Sequence, residues 1–243
     1  MTPHNHLISL TGAGPGSIEL LTLKAAERIR HADVILYDAL HGEEILSLAH
    51  PDARKIYVGK HYQDGQHQDD RQEWINSLLL DYARAGNRIV RLKTGDPFIF
   101  GRGAEELAFC RANSLNVEVI PGITAGLAAA AQFGIPLTQR GTADMLMLYT
   151  GHTCQARRHT LPVVAAALQQ NSPVLLYMGL KTLPDVAAEL IGLGVNSAVT
   201  VDILSRIGHP DEQQFSTTLA AVADFLQQEA PPLPAVIILK TPQ

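Results

Sequence analysis

Short apolar runs alternate along this chain with longer stretches whose apolar residues recur at helical spacing. His6–Thr11, Val34–Tyr37, Lys55–Val58, Arg88–Leu92 and Val117–Ile120 read as strands in the first half. Between them, Leu21–His31 repeats apolar residues at Leu23, Ala26 and Ile29, and Glu43–Leu48, Asp69–Ala85 and Ala104–Asn113 also read as helices. Pro121-Gly122 interrupts the pattern. A small-residue helix over Ala125–Phe133 follows, and a new alternation begins. In it Met145–Tyr149, Val174–Tyr177, Val199–Leu204 and Ala235–Lys240 read as strands, and Asp185–Leu190 and Leu219–Glu229 as helices. Strands that alternate with helices predict mainly parallel sheets. The expectation is therefore two α/β domains, residues 1–121 and 122–243.

Composition narrows the function classes more than the fold. Of 243 residues, 46% are hydrophobic and 18% charged, ordinary values for a globular protein. The formal net charge of −5 argues against nucleic acid as the main partner, while leaving room for a local basic pocket. Cys110 and Cys154 form no pairing or zinc motif, which fits a reducing compartment. None of the ten histidines shows firm metal-ligand spacing, so no metal is expected. The longest apolar stretch, Ile123–Leu137, is too short and glycine-rich to span a membrane. Met1–His6 has no basic signal region. A cytoplasmic location is expected.

The densest chemistry lies in Arg91-Leu-Lys-Thr-Gly-Asp-Pro-Phe-Ile-Phe-Gly-Arg102-Gly-Ala-Glu-Glu106, between a strand and a helix. Gly95, Pro97, Gly101 and Gly103 force sharp turns, and Lys93, Asp96 and Arg102 stand among them. Loops at the carboxyl ends of strands are where open α/β sheets bind ligands. Gly12-Ala-Gly-Pro-Gly16 makes a similar turn after the first strand but does not match the dinucleotide fingerprint. Asp38 stands just past the second strand, where it is either a proton acceptor or a helix N-cap. Lys60 follows the third strand and, by position alone, could equally be a solvated lysine. Arg91, Arg102 and Arg140 lie in or beside these loops as carboxylate grippers or surface ion-pair partners. Thr124 could cap the helix after it, and Met178 could simply fill a core.

Seven blocks in order carry a resemblance that covers about Leu10 to Lys240. They are Gly12–Gly16, Ala32–Asp38, Tyr57–Lys60, Thr94–Gly103, Pro121–Ala125, Gly134–Thr138 and Tyr177–Leu180. Thr94–Gly103 resembles the G-G-D-P-F-x-F-G-R-G motif of the tetrapyrrole methylases, with Thr94 in place of the first glycine. The likeness is strongest to the branch that C-methylates uroporphyrinogen III.

The resemblance implies S-adenosyl-L-methionine as co-substrate in a cleft between two domains, and methylation at C2 and C7 to give precorrin-2. The alternative is a family member acting on a later corrin precursor. A rival of another class is a non-enzymatic binding module on the same fold. Implied cofactor contacts are Pro15, Thr94, Gly95, Asp96, Ile99, Thr124, Ala125, Met178 and, in the poorest-matching stretch, Ile207. Asp38 is implied as the proton-handling group and Lys60 as its acid partner. Arg91, Arg102 and Arg140 would face the eight substrate carboxylates. Family members are dimers, so a homodimer is expected. With the first strand near His6, methylation alone is expected, without the oxidation and iron-insertion steps that fused relatives carry.

Overall fold

The computed structural model describes residues 8–38, 43–59, 68–151 and 157–242. The chain divides into two compact units, Met1–Thr124 and Ala125–Gln243.

The first unit runs β1 (Ile8–Gly12), α1 (Leu23–Arg30), β2 (Val34–Tyr37), α2 (Glu43–Ser47), β3 (Arg54–Tyr57), α3 (Gln68–Arg84), β4 (Ile89–Lys93), α4 (Gly103–Ala112) and β5 (Val117–Ile120). Its strands form one wholly parallel sheet in the order β3-β2-β4-β1-β5. Alternation along the strands feeds two cores. Ile8, Leu10, Val34, Leu36 and Ile89 pack with Ile75, Leu79 and Cys110 of α3 and α4. Ile35, Val90 and Leu92 face the other way, against Ile29 of α1 and Ile45 of α2. Covered on both faces, β1 and β4 are buried along their whole length. Thr22 caps α1 by accepting from the Ala25 N–H. The helix buries Ala25, Ala26 and Ile29, while Leu23, expected on the apolar stripe, is exposed.

The second unit runs α5 (Ala125–Gln132), β6 (Met147–Thr150), α6 (Arg157–Gln169), β7 (Val174–Tyr177), α7 (Leu183–Gly192), β8 (Thr200–Ser205), β9 (Gln213–Thr218), α8 (Val222–Gln228) and β10 (Ala235–Lys240). Its sheet order is β6-β7-β10-β8-β9. This sheet corrects the expectation of mainly parallel pairing. Only β6 and β7 pair in parallel, whereas β10 runs antiparallel to both its neighbours and β9 antiparallel to β8. The short link from Ser205 to Gln213 has no helix to carry a crossover, so β9 must fold back on β8.

One face of this sheet, with Val174, Leu176, Val201, Ile203, Ile237 and Leu239, packs on α6, α7 and α8. On the opposite face α5 comes close through Gly126. A Cβ there would lie 2.7 Å from Leu175 Cδ1, and the Gly126 N–H donates to Tyr177 Oη at 3.1 Å.

Candidate functional site

In the first unit the chain leaves β1, crosses β4 to β2, and goes on to β3. From β4 it turns the other way and crosses β1 to β5. The winding therefore reverses between β1 and β4. In an open α/β sheet the loops diverge there and open a binding crevice.

The loops at that point are locked together by backbone. Gly14 and Gly95 form a bridge in which the Gly95 N–H donates to the Gly14 carbonyl at 2.8 Å. Gly12, Gly95 and Gly122 meet closely enough to exclude any side chain. A Cβ on Gly12 would sit 2.5 Å from Gly122 N, and one on Gly122 2.2 Å from the Gly95 carbonyl oxygen. Gly95 also takes a φ of 67°, a left-handed conformation that L side chains resist. Asp96 ties the assembly. Its Oδ1 accepts from the Phe98 N–H at 2.9 Å and its Oδ2 from the Gly122 N–H at 3.2 Å. Thr94 Oγ1 is buried and has no hydrogen-bond partner among the described residues.

Beside this crevice lies a buried charge cluster. Alternation on β4 sends Ile89, Arg91 and Lys93 to the side of α3 and α4. Glu106, in the first turn of α4, is fully buried there. Its Oε1 accepts from Arg91 Nε at 3.1 Å, Lys93 Nζ at 2.9 Å and Gln72 Nε2 at 3.4 Å. Arg91 Nη1 donates to the Leu92 carbonyl at 3.0 Å. Nη2 reaches both Asp38 oxygens, at 2.9 and 3.0 Å. Asp38 alone opens outward, its side chain 29% exposed against 3% for Arg91 and none for Glu106. Burial pushes the Lys93 ammonium below the usual lysine range, and the neighbouring Arg91 charge adds to this.

In the second unit, β6, β7 and β8 point the same way and end on one sheet edge. Met178 follows β7 there with a φ of 52° and is 53% exposed. At the end of β8, Arg206 has a φ of 55° and precedes the buried Ile207. Left-handed non-glycine residues concentrate at binding edges. A cavity of about 150 Å³ lined by Pro136, Asn171 and Lys240 lies at the opposite end of this sheet. Among the described residues, no group of three or more acidic, histidine or cysteine side chains could hold a metal ion.

Residues 8–223 match the model of the tetrapyrrole (corrin/porphyrin) methylases. The chain belongs to this family. It is 41% identical, over 96% of its length and 62% of the relative's, to the chloroplastic S-adenosyl-L-methionine-dependent uroporphyrinogen III methyltransferase of Arabidopsis thaliana. It is 43% identical, over 96% of its own length, to the siroheme synthase of Actinobacillus pleuropneumoniae serotype 7 (strain AP76), of which it covers 46%. The chain thus spans between about half and two thirds of the length of these relatives. Uroporphyrin-III C-methyl transferase from Thermus thermophilus, solved with S-adenyl homocysteine, superposes with a TM-score of 0.79 at 36% identity, over 96% of this chain and 91% of that one.

Within this tetrapyrrole methylase, the structure gathers Pro15, Thr94, Gly95, Asp96 and Ile99 at the carboxyl edge of the first sheet, with Thr124 buried just after β5. Ala125 opens α5, and Met178 and Ile207 share one edge of the second sheet. Lys60, His61, His67 and Cys154 lie outside the described residues. Arg102 pairs with Glu105 at 2.6 Å at the start of α4, and Arg140 is exposed in the turn before β6.

The expectation that Arg91 grips substrate carboxylates is corrected. A central strand of a doubly covered sheet has no solvent face, so its guanidinium points inward and is consumed by Glu106, Leu92 and Asp38. The role of Glu106 was missed. Its signal was present, because Gly103, Glu106 and Cys110 recur at helical spacing on the buried stripe of α4.

Proposed function

We propose that this chain is an S-adenosyl-L-methionine-dependent C-methyltransferase that converts uroporphyrinogen III to precorrin-2 by methylation at C2 and C7. The observation that carries this is Asp38. It is a half-open carboxylate held by a buried guanidinium at the carboxyl edge of a parallel sheet, beside the point where the winding reverses. Relatives named for this activity and for siroheme synthesis match across nearly the whole chain and support it.

The co-substrate fits the residues present. Thr94 Oγ1 is a buried hydroxyl at the crevice with no partner among the described residues, and an amino-acid ligand offers both donors and acceptors to such a group. When bound, S-adenosylmethionine supplies an electrophilic methyl group on sulfonium. Pro15, Thr94, Gly95, Asp96, Ile99, Thr124, Ala125, Met178 and Ile207 are proposed to hold it. The electron-rich pyrrole carbon attacks without help from a metal, so the protein's work is alignment and proton handling. Asp38 takes the proton that the methylated ring must lose, with Arg91 keeping both carboxylate oxygens oriented. Lys60 is proposed as its acid partner, and Arg102 and Arg140 as grips for substrate carboxylates. Asp96, whose oxygens already receive backbone N–H groups, shapes the loop as well as facing the ligand.

The same proposal includes a homodimer, which light scattering would read, and a cytoplasmic location, which fractionation would read. The central test is anaerobic incubation with uroporphyrinogen III and S-adenosylmethionine, followed by mass spectrometry. One and then two added methyl groups are expected. Transfer only to a later corrin precursor would move the chain to another branch, and binding without any transfer would favour the binding module.

A further inference from the structure

Arg91, Glu106 and Lys93 form a costly arrangement. Buried ion clusters of this kind are commonly no more stabilising than apolar side chains of the same volume. β4 could have carried Val and Leu throughout, as Val90 and Leu92 show on its other face. Glu106 also leaves Oε2 without a hydrogen-bond partner among the described residues, an arrangement that costs stability. What the cluster delivers is direction. Glu106 Oε1 and the Leu92 carbonyl fix two nitrogens of the Arg91 guanidinium. The planar fork then has a single orientation, and the third nitrogen meets both oxygens of Asp38. Asp38 is the one member that solvent reaches appreciably.

We propose that Arg91 and Glu106 are positioning residues that set the angle of the Asp38 carboxylate for its proton-transfer step. Neither touches the reacting atoms, and both act through Asp38. This rests on the methyltransferase reading above.

A double-mutant cycle tests it. Arg91→Lys keeps a cation beside Glu106 but cannot span Glu106, the Leu92 carbonyl and Asp38 with one rigid plane. Its kcat should fall about 10–100-fold, in line with a misplacement of the order of 1 Å. Its KM for S-adenosylmethionine should stay within about twofold, because uniform binding is untouched. In an Asp38→Asn background the same substitution should cost nothing further, since its effect passes through a group already removed. Glu106→Gln, which keeps the volume, carries the same cycle through a second residue should Arg91→Lys fold poorly.

Losses that multiply in the double variants would overturn the proposal. So would an Arg91→Lys enzyme with parental kcat, or one whose only defect is a raised KM. An inactive parent would overturn both this assignment and the methyltransferase reading, whereas an active parent with multiplying losses would overturn this assignment alone.

Discussion

Gly122→Ala is the sharpest probe of the crevice, because its effect follows from backbone geometry alone. The added Cβ would lie 2.2 Å from the Gly95 carbonyl oxygen and 2.8 Å from both Cα and C of Gly12. Such contacts essentially never occur under 3.0 Å, so the segments must part by about 0.8 Å, the difference between 2.2 and 3.0 Å. None of the three atoms belongs to a side chain that could swing aside. Overpacking of this kind costs about 1–3 kcal/mol. The shift also pulls the Gly122 N–H away from Asp96, a charge-assisted bond worth about 1.5–3 kcal/mol. Together these make a loss of about 2.5–6 kcal/mol, or a Tm lower by roughly 5–24 °C for a chain of this size. Turnover should fall by about 100-fold in the protein that remains folded, because the loops that align the reactants are displaced. Differential scanning calorimetry and methyl-transfer kinetics read the two effects. Gly192→Ala is the control, since a Cβ there meets nothing within 4 Å and the position lies in α7. Parental Tm and parental turnover in Gly122→Ala would refute the reasoning.

Asp38→Asn keeps the side-chain volume and should slow methyl transfer by about 10²–10⁴-fold, with the co-substrate affinity from calorimetry unchanged. Thr94→Val removes a buried hydroxyl that has no hydrogen-bond partner among the described residues. It should leave the ligand-free Tm equal or higher while weakening S-adenosylmethionine binding, which paired melting curves with and without ligand would read. Glu118 links β5 to Lys24 and Arg28, at 2.7 and 2.5 Å. Burial alone would raise its pKa, but hydrogen bonds from Arg28, Lys24 and Ser9 more than offset this and hold it at about 2. Its folded value is depressed, so its contribution is present above the ordinary value of 4.5 and is lost as pH falls from there toward 2. Arg28→Ala should therefore flatten the fall in Tm between about pH 5 and 2, measured against the parent in the same buffers.

The first sheet was legible because its strands are short runs rich in apolar residues, as in Val34–Tyr37, and turn-forming residues such as Gly12, Asp38 and Pro121 mark their ends. The loops at its carboxyl edge were legible for the same reason, since Gly95, Asp96 and Pro97 together do not continue a strand. The second sheet was harder. α6 went unassigned because Pro162 lies inside it. β9 went unassigned because Gln213–Thr218 is an edge strand with a single large apolar residue, Phe215. The direction of β10 is fixed by its pairing with β8, whose register of Ala235 with Ser205 no local pattern contains. At the site, Asp38 was visible from its place at a strand end, but its partner was not. Glu105 and Glu106 are alike in sequence, and only the packing of α4 turns one toward Arg102 in solvent and the other toward Arg91 in the core.

The place of β10 has a consequence for biosynthesis. It is the last of its sheet's strands in chain order, yet it fills the middle of that sheet, between β7 and β8. Until residues 235–240 leave the ribosome, those two strands have no shared neighbour and each presents a bare ladder of backbone donors and acceptors. β8 ends at Ser205 and β10 at Lys240, so at about 5–20 residues per second the gap lasts on the order of 2–7 s. The first sheet waits in the same way for β4, which lies between β2 and β1, but all five of its strands precede Pro121. A nascent chain of this protein therefore carries a finished leading half while its trailing one is still unclosed, and a chaperone that attends its synthesis has work in both intervals, before β4 and before β10.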